Sequence, residues 1–384
     1  MANINFDKII PEIYAGLNVV SREMVGFIPS VLRDTDMTKA AQGETIRVPI
    51  GEAGEPQAIV PGMSTPSGSD TTLDYVDMVI NKAYTSSFHW NGSEEKGVKN
   101  GGQHGKLLSD QFADAMRKVA NMVEKDCAEA AIAGASRATG TAGTTPFGTA
   151  GDLTDIANLA QILDDNGAPI SDRKLVLSSS AMASLRGKQS LLFKVNESGT
   201  DKFLRTGYTD PIEGFSIFNS KGLSRHTKGT GASYQTNLTE SLNAGANTIA
   251  VDTGTGTILA GDIVTFNGDS NKYVVGTGIA SAGNLVINKP GLLEALADDT
   301  AVTVGANYTP SVGFSESAIV LVARAPDVPS VGDSALDSTI VVDPVSGLPF
   351  EIRVYGGYRE VRFEVGLAWG VKCIKPEHCA LLLG

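Results

Sequence analysis

The feature of this sequence that most constrains its fold is a block rich in glycine and threonine, from about residue 222 to residue 312. Short apolar runs recur through the block and are separated by Gly, Asn and Asp, as in a small barrel or sandwich. The predicted strands are Thr248–Asp252, Asp262–Phe266, Lys272–Val275, Asn284–Ile287 and Ala301–Val304. The segments before and after this block differ in character and look incomplete alone. We therefore predict a domain inserted into a host domain.

The strongest helical pattern lies before the block, in residues 107–135. Apolar positions recur there at the spacing of a single buried helical stripe. They are Phe112, Met116, Val119, Val123, Cys127 and Ala130. Ser109 or Asp110 would cap the start of the helix, and Gly134 would end it. Such a helix extends about 39 Å at about 1.5 Å per residue, and it greatly exceeds the usual length of about 11–12 residues.

Helices and strands alternate in the rest of the first half, which predicts a sheet covered by helices. The predicted helices are Asp152–Asp165 and Ser180–Leu192, and the predicted strands are Lys174–Ser178 and Phe215–Phe218. Residues 3–33 are expected to form an N-terminal arm, partly helical, that Pro29 ends. After the block, the apolar run Ala318–Ala323 predicts a central buried strand.

A long hairpin is predicted between residues 43 and 90. Gly43–Ile50 and Leu73–Ala83 have the pattern of strands. The loop between them, Gly51–Asp70, is dense in Gly, Pro, Ser and Thr, and loops this long are uncommon in compact domains unless they are functional or disordered. Two interpretations stay open, a disordered surface loop and an arm that packs on a neighbouring subunit.

Two charged, alternating strands near the end of the sequence, Glu351–Val354 and Glu360–Val365, flank a Gly356-Gly357 turn. Apolar residues share one face of this pair, and charges of alternating sign share the other. The charged residues are Glu351, Arg353, Glu360, Arg362 and Glu364. Opposite charges across strands contribute roughly 0.2–1 kcal/mol each. The charged face is either solvated or an ion-pair surface between subunits.

The composition argues against several classes of function. The chain has 43 acidic and 31 basic residues and a net charge of −12, whereas affinity for nucleic-acid phosphates comes from clustered Lys and Arg. Three cysteines do not make a disulfide framework, so reduced thiols in a cytosol are expected. The sequence lacks an apolar run of about 18 residues that would span a membrane, and its first residues lack the pattern of a signal peptide. We expect no membrane association and no sequence-specific binding of DNA.

One motif suggests catalysis. An apolar pair before Asp252-Thr253-Gly254 is the active-site signature of aspartic proteases, whose chemistry needs two aspartates that share one proton. The sequence holds no second Asp-Thr/Ser-Gly, although a dimer would supply one by symmetry. Asp and Gly are also common turn residues, and a turn is the interpretation that we favour.

Motifs for metals and cofactors are incomplete. Cys373 and Cys379 flank His378, but a fourth zinc ligand is not evident. Residues 140–151 lack the Gly-Lys-Ser/Thr of a phosphate loop, and Gly276-Thr277-Gly278 lacks the third glycine of a dinucleotide site. We therefore expect no metal, no cofactor and no catalytic residue.

The order of these elements resembles the major capsid (coat) protein of tailed bacteriophages, with the Hong Kong 97-type fold. It is most similar to the podovirus-like subgroup whose coat carries an inserted β-barrel domain. The residues that carry the resemblance are Thr45–Pro49 and Leu73–Ala83 for the extended loop, Ser109–Gly134 for the spine helix, Asp152–Leu192 for the peripheral domain, Leu259–Phe266 for a barrel strand and Phe350–Pro376 for the closing strands.

The resemblance implies an α+β fold with an N-terminal arm, an extended loop, a long spine helix, peripheral and axial domains, and an inserted small β-barrel. The implied divisions are 1–42 for the arm, 43–100 for the extended hairpin loop, 101–150 for the spine helix and following loop, 151–221 for the first part of the peripheral and axial domain, 222–312 for the inserted barrel and 313–384 for the second part of the peripheral and axial domain.

The resemblance also implies a structural protein of the virion and not an enzyme. Copies would form hexamers and pentamers of an icosahedral shell that encloses double-stranded DNA, assembled in the cytoplasm of a bacterial host. The implied partners are a scaffolding protein, a portal and a decoration protein. A Lys–Asn pair for the autocatalytic cross-linking of some members is not evident. Contacts between subunits are expected at Arg47, Glu52, Glu55, Asp252, Asp262, Asp269, Arg353, Arg359, Arg362 and Glu364.

Two other functions compete with this one. A secreted or surface β-rich, adhesin-like protein would suit a Gly/Thr-rich barrel, but the absent signal-peptide pattern and the long helix oppose it. An aspartic-type hydrolase would use Asp252.

Overall fold

The computed structural model describes residues 10–20, 25–51, 73–100, 104–149, 152–187, 211–329, 332–344 and 346–384. In these residues the helices are α1 (Ile10–Val20), α2 (Gly92–Asn100), α3 (His104–Gly134), α4 (Thr154–Asp165) and α5 (Ser179–Arg186). The strands are β1 (Leu32–Ala40), β2 (Thr45–Gly51), β3 (Leu73–Val79), β4 (Lys82–Asn91), β5 (Arg137–Gly140), β6 (Arg173–Leu177), β7 (Phe215–Asn219), β8 (Tyr234–Thr236), β9 (Thr248–Asp252), β10 (Ile263–Phe266), β11 (Lys272–Thr277), β12 (Gly283–Ile287), β13 (Ala301–Val304), β14 (Pro310–Ser315), β15 (Ile319–Pro326), β16 (Ala335–Val342), β17 (Pro349–Gly356), β18 (Glu360–Cys373) and β19 (Cys379–Leu383). They form two large sheets and a two-stranded ribbon, which confirms the α+β prediction.

The first sheet has six strands and packs against the long helix α3. Its order is β1-β15-β18-β17-β16, and β4 pairs with β18 as well. Helix α3 contributes one continuous buried stripe, which includes Leu108, Phe112, Met116, Val119, Val123 and Cys127. The same core cluster contains Phe314 and Leu381 of the second sheet. Packing along both sheets stabilises a helix of 31 residues, which extends about 46 Å at about 1.5 Å per residue.

The second sheet has 11 strands, and six of them form a closed barrel. Its order is β10-β13-β8-β9-β12-β11-β5-β19-β14-β6-β7, and pairing of β10 with β11 closes the first six strands. All five predicted barrel strands are present, and the short strand β8 is an addition that the sequence pattern did not reveal. Strand β11 also pairs with β5. The barrel is therefore continuous with the remaining strands, on which α4 packs its buried residues Ile156, Leu159, Ile162 and Leu163.

Helix α3 begins earlier than predicted. It starts at His104, so Ser109 and Asp110 lie inside the helix and do not cap it. Leu108 is already buried, which extends the apolar stripe toward the N-terminus. The carboxylate of Glu12 lies beside Gly105 in the first turn, where a negative charge stabilises the helix dipole.

The N-terminal region contains a strand that the sequence pattern did not reveal. Helix α1 ends at Val20, and Pro29 lies in a separate turn in which Ser30 and Val31 donate to the carbonyl of Phe27. Pro29 therefore lies in a turn that is separate from the helix of the N-terminal segment. Strand β1 follows and pairs in parallel with β15. Its sequence, LRDTDMTKA, lacks the apolar alternation on which a strand prediction depends.

Two further element boundaries differ from the predictions. Residues 73–83 were predicted as one strand, but they belong to two strands, β3 and β4. Between these strands, Ile80 exchanges backbone hydrogen bonds with Gly43 and Glu44 and so closes the root of the β2–β3 ribbon. Helix α5 ends at Arg186 and not at Leu192. The residues after Gly187, up to 210, lie outside the described part of the chain.

Buried Glu124 joins helix α3 to two distant segments. Its Oε1 accepts hydrogen bonds from the N–H groups of Gly26 and Phe27, at 2.7 and 2.8 Å, and from the hydroxyl of Ser220 at 2.5 Å. Its Oε2 accepts from the N–H of Ile28 at 3.0 Å. Glu124 is only 2% exposed. These four donors therefore replace the water that the carboxylate loses on burial.

The turn between β18 and β19 packs against the ends of α3 and α4. Asn166, at the end of α4, donates to the carbonyl of Glu377 at 2.8 Å, and Cys373 lies against Gly134. Burial lowers the pKa of His378 below its ordinary value of 6.5. Its Nδ1 is buried without a hydrogen-bond partner among the described residues. The folded chain thus binds a proton at His378 less tightly than the unfolded chain does.

We predict that Glu124→Gln lowers the free energy of unfolding of the unassembled subunit by about 3 kcal/mol or more, because buried donors lose their acceptor. The glutamine side chain has nearly the same volume as the glutamate, but its NH₂ group would face hydrogen-bond donors that need an acceptor. Glu129→Gln, on the exposed side of the same helix, should change it by less than about 0.5 kcal/mol. Urea unfolding measures both, and equal effects would contradict the assigned role of Glu124.

We also predict an acid-sensitive contribution from His378. A lowered folded pKa gives a stabilising contribution that is fully present above pH 6.5 and is lost as the pH falls through the folded pKa. Thermal unfolding from pH 7.5 to 4.5 should therefore show a smaller decline for His378→Gln than for the unchanged chain. His89→Gln, at an exposed position of β4, serves as the control and should follow the unchanged chain.

Candidate assembly surfaces

The β2–β3 ribbon is a separate two-stranded element, and its inner face packs on strands β15 and β18. Its strands pair from Thr45↔Val79 to Gly51↔Leu73, and the ribbon joins neither large sheet. At its root, Met78 and Ile80 are buried in a small cluster with residues of β15 and β18. Farther out, the Arg47–Asp77 ion pair of 3.3 Å is exposed on both sides. The predicted contact residue Arg47 thus lies on an open surface.

The ribbon also presents apolar side chains to the outside. Tyr75 is 49% exposed and Val79 is 47% exposed. Neither was among the predicted contact residues, although their spacing of two from Asp77, which places all three on one face of β3, is visible in the sequence. The predicted residues Glu52 and Glu55, and the loop that carries them, lie outside the described residues.

The outer face of α3 has mixed charge. Lys118 pairs with Asp114 at 2.7 Å and Lys125 with Glu129 at 3.4 Å, one helical turn apart. These side chains are more than half exposed. Exposed pairs of this kind contribute roughly 0.3–0.5 kcal/mol each, so this face is held by weak interactions and is open to a neighbour.

The charged row of β17 and β18 divides into a buried part and an exposed part. Glu351 is 3% exposed and pairs with Lys39 at 2.9 Å and with Arg353 at 3.2 Å. Arg353 also pairs with Asp333. The N–H of Ala335 lowers the pKa of the Asp333 carboxyl, and Tyr355 and Arg353 add to this effect. This part of the row is therefore neither solvated nor free.

The remaining charges of this row lie nearer the solvent. In the register of the sheet Arg353 stands opposite Glu364, yet Glu364 pairs with Arg362 of its own strand at 2.7 Å. Arg362 is 52% exposed in its side chain, whereas Glu364 is 15% exposed. Of these two predicted contact residues, Arg362 offers the larger surface.

The turn that joins β17 and β18 is the most exposed part of this sheet. Tyr358 is 89% exposed, and the guanidinium of Arg359 lies 5.6 Å from the centre of its ring. Arg359 was predicted as a contact residue. Tyr358 was missed, because a single aromatic residue beside Gly356-Gly357 carries no periodic signal.

Two acidic residues predicted for contacts are used inside the barrel. Asp262 has no exposed surface, and its carboxylate accepts hydrogen bonds from His226 Nε2 at 2.8 Å and from the N–H groups of Gly229 and Leu259. Asp269 accepts from the hydroxyl of Tyr273 at 2.5 Å. Asp262 therefore has no surface to offer a neighbour.

Asp252 ends β9 at a tight turn. Its Oδ1 accepts from the hydroxyl of Thr253 at 2.7 Å, and its carbonyl accepts from the N–H of Gly254. Thr253 has a φ of 59°. Gly254 lies directly on the ring of Tyr234, where a Cβ atom would clash. The Asp-Thr-Gly sequence thus meets the steric needs of a turn over a buried ring.

The described residues contain no group of three or more His, Cys, Asp or Glu side chains that could hold a metal ion. At the incomplete motif around His378, a hydrogen bond with Cys373 and burial raise the pKa of the Cys379 thiol well above its ordinary range. That shift disfavours the thiolate that zinc requires. Of the helices described, none is both long and apolar enough to cross a membrane.

No protein-family model and no curated protein sequence matches this chain. Solved structures do match. The capsid of the cyanophage P-SCSP1u is 12% identical, and the match covers 92% of this chain and 86% of that chain with a TM-score of 0.50. The capsid of a native GTA particle is 8% identical, with 94% and 90% covered and a TM-score of 0.46. Mycobacterium phage Che8 is 13% identical, with 88% and 84% covered and a TM-score of 0.43. The likeness to the cyanophage capsid establishes the fold of this chain as a phage-capsid fold.

Proposed function

We propose that this chain is the major capsid protein of a tailed bacteriophage. Copies would self-assemble into hexamers and pentamers of an icosahedral shell that encloses double-stranded DNA. The observation that carries the proposal is the agreement in fold with a phage capsid over 92% of the chain. The chain would be a component of the virion, assembled in the cytoplasm of a bacterial host.

The ribbon supports this proposal because its two faces differ. Ile46, Val48 and Met78 on the inner face pack on the body of the subunit. On the other face, by contrast, Tyr75 and Val79 expose apolar surface. In a shell, the ribbon of one copy would lie over α3 and the peripheral domain of the next. Full burial of a large apolar side chain contributes roughly 1.5–3 kcal/mol, so two such residues per copy add substantially to a contact that repeats over the whole shell.

The charge of the chain agrees with a container for DNA. Each copy carries a net charge of −12, so a shell of many copies would repel DNA phosphates rather than bind them. Contacts between copies would use the exposed side chains of Arg47, Arg359 and Arg362 and the half-buried Asp252. Glu52 and Glu55 stay predicted contacts of the loop at the end of the ribbon.

The predicted domain divisions are part of the same proposal. Residues 151–221 and 313–384 would form the peripheral and axial domain that the barrel of residues 222–312 interrupts, behind an N-terminal arm of 1–42. A scaffolding protein and a portal would guide assembly, and a decoration protein would bind the finished shell. Negative-stain microscopy of the chain expressed with a scaffolding protein tests the proposal, since shells or tubes support it and persistent monomers contradict it.

We predict that Tyr75→Ser combined with Val79→Ser raises the subunit concentration needed for assembly about tenfold or more, since tenfold corresponds to about 1.4 kcal/mol. Both residues are near half-exposed, so the subunit itself should fold normally. Ile170→Ser, at a 73% exposed position in another part of the chain, is the matched control and should assemble normally.

A stronger form of this experiment deletes residues 52–70 and closes the gap with a short Gly-Ser linker. The expected product is a folded subunit that forms no shells. Circular dichroism establishes the fold, and sedimentation measures assembly. Normal shells from the deleted chain would remove the loop at the end of the ribbon from the proposed mechanism.

Asp252→Asn separates the capsid proposal from a hydrolase. A structural protein should assemble normally with this substitution, because the amide oxygen of the new side chain would still accept the hydrogen bond from Thr253. An aspartic-type hydrolase would lose its activity. Peptide hydrolysis by the unchanged chain that Asp252→Asn abolishes would contradict a purely structural role.

A further inference from the structure

The turn between β17 and β18 presents an aromatic ring and a cation together. Tyr358 is 89% exposed, and Arg359 has a φ of 59°, which non-glycine residues rarely adopt. The N–H of Gly357 donates to the carbonyl of Glu360 at 2.9 Å and holds the turn. We name Tyr358 and Arg359 the tip pair. Within the described residues, Arg359 forms no ion pair, so its charge is available to a partner.

An open hollow of about 730 Å³ adjoins the tip pair, and Gly357 and Arg359 of the turn form part of its lining. Its lining includes the apolar residues Trp90 and Val361 and the carboxylates of Glu95 and Glu360. The N–H of Gly92 donates to the carbonyl of Arg359 at 3.4 Å, which ties the hollow to the tip. The hollow therefore combines an apolar floor with acidic side chains, next to a turn that carries the opposite charge.

The acidic side chain of Glu95 in the hollow is held by a weak, exposed ion pair. Glu95 pairs with Lys99 one helical turn away, at 2.5 Å, and both side chains are substantially exposed. Exposed pairs at this spacing are weak. A guanidinium that arrives with an aromatic ring would compete well for Glu95, because it brings apolar burial together with charge.

We infer that the tip pair of one copy of this chain inserts into the hollow of a second copy. The Tyr358 ring would cover Trp90 and Val361, and the Arg359 guanidinium would meet Glu95 and Glu360. Tyr and Arg are the residue types that most often dominate the energy of an interface. The tip pair and the hollow adjoin on each copy and share Arg359, so two copies can exchange their tips reciprocally across a two-fold axis. The inference rests on the proposed function, which places copies side by side.

A charge exchange tests this contact in the full-length chain. Tyr358→Ser, Arg359→Glu and Glu95→Lys should each raise the concentration needed for assembly about tenfold or more. The double variant Arg359→Glu with Glu95→Lys should return to within about threefold of the unchanged chain, because the two charges are exchanged across the contact. Lys96→Glu reverses a charge on the same helix outside the lining of the hollow, and it should assemble normally.

Sedimentation and negative-stain microscopy measure assembly, and thermal unfolding of the unassembled variants establishes that each is folded. Normal assembly of Tyr358→Ser and Arg359→Glu would overturn the inference and leave the proposed function standing. Impaired single variants without recovery in the double variant would also overturn it, since the tips would then meet other surfaces. If the unchanged chain forms neither shells nor smaller oligomers, both the proposed function and the inference fail.

Discussion

The buried carboxylate of Glu124 fixes the arrangement on which the rest of the subunit depends. A charge that is 2% exposed is tolerated only when hydrogen bonds replace its water, and here the donors come from Gly26, Phe27, Ile28 and Ser220. These donors belong to two segments, one about 100 residues before Glu124 in the sequence and one about 100 residues after it. The carboxylate therefore holds both segments at one point of α3. Because each donor is needed, neither segment can shift without leaving the charge unsatisfied.

Helix α3 collects further contacts of the same kind along its length. Asp126 accepts from Lys82 at 2.6 Å and from the indole N–H of Trp369 at 2.7 Å, and the hydrogen bond from Lys82 raises the pKa of that lysine. At the C-terminal end, Asn288 of the barrel region donates to the carbonyls of Ala133 and Ala135 at 2.7 Å. A single helix thus holds the first sheet, the N-terminal region and the barrel.

The barrel is joined to the neighbouring strands more closely than a separate domain needs to be. Strand β11 pairs with β5, so hydrogen bonds run without interruption from the barrel into the remaining strands of the sheet. The two connections to the barrel also pair with each other, since His226 and Tyr308 exchange backbone hydrogen bonds and their rings lie 5.1 Å apart. These contacts fix the orientation of the barrel. Asp262 belongs to the same group of contacts, because its buried carboxylate accepts a hydrogen bond from His226.

The sequence predicted those elements whose apolar pattern is long or strongly periodic. The stripe from Phe112 to Cys127 identified α3, and the alternating runs identified the barrel strands. Strand β1 was missed because it gains its stability from pairing with β15 and not from an apolar face of its own. The roles of Glu124 and Asp262 were invisible as well, because a buried carboxylate and a solvated one look the same in a sequence until distant donors are brought together.

The same reason limits what the sequence reveals about assembly surfaces. Glu351 and Arg362 belong to one alternating row, yet the first is buried in an internal ion-pair network and the second is half exposed. Strong, desolvated charge interactions lie inside the subunit, whereas the ion pairs described on the outer face of α3 and on the ribbon are exposed. This division suits the shell of identical copies that we propose for this chain. Association of rigid subunits through moderate contacts can be reversed when it goes wrong, because each contact alone barely exceeds the entropy lost on binding, while the repetition of correct contacts makes the closed shell stable.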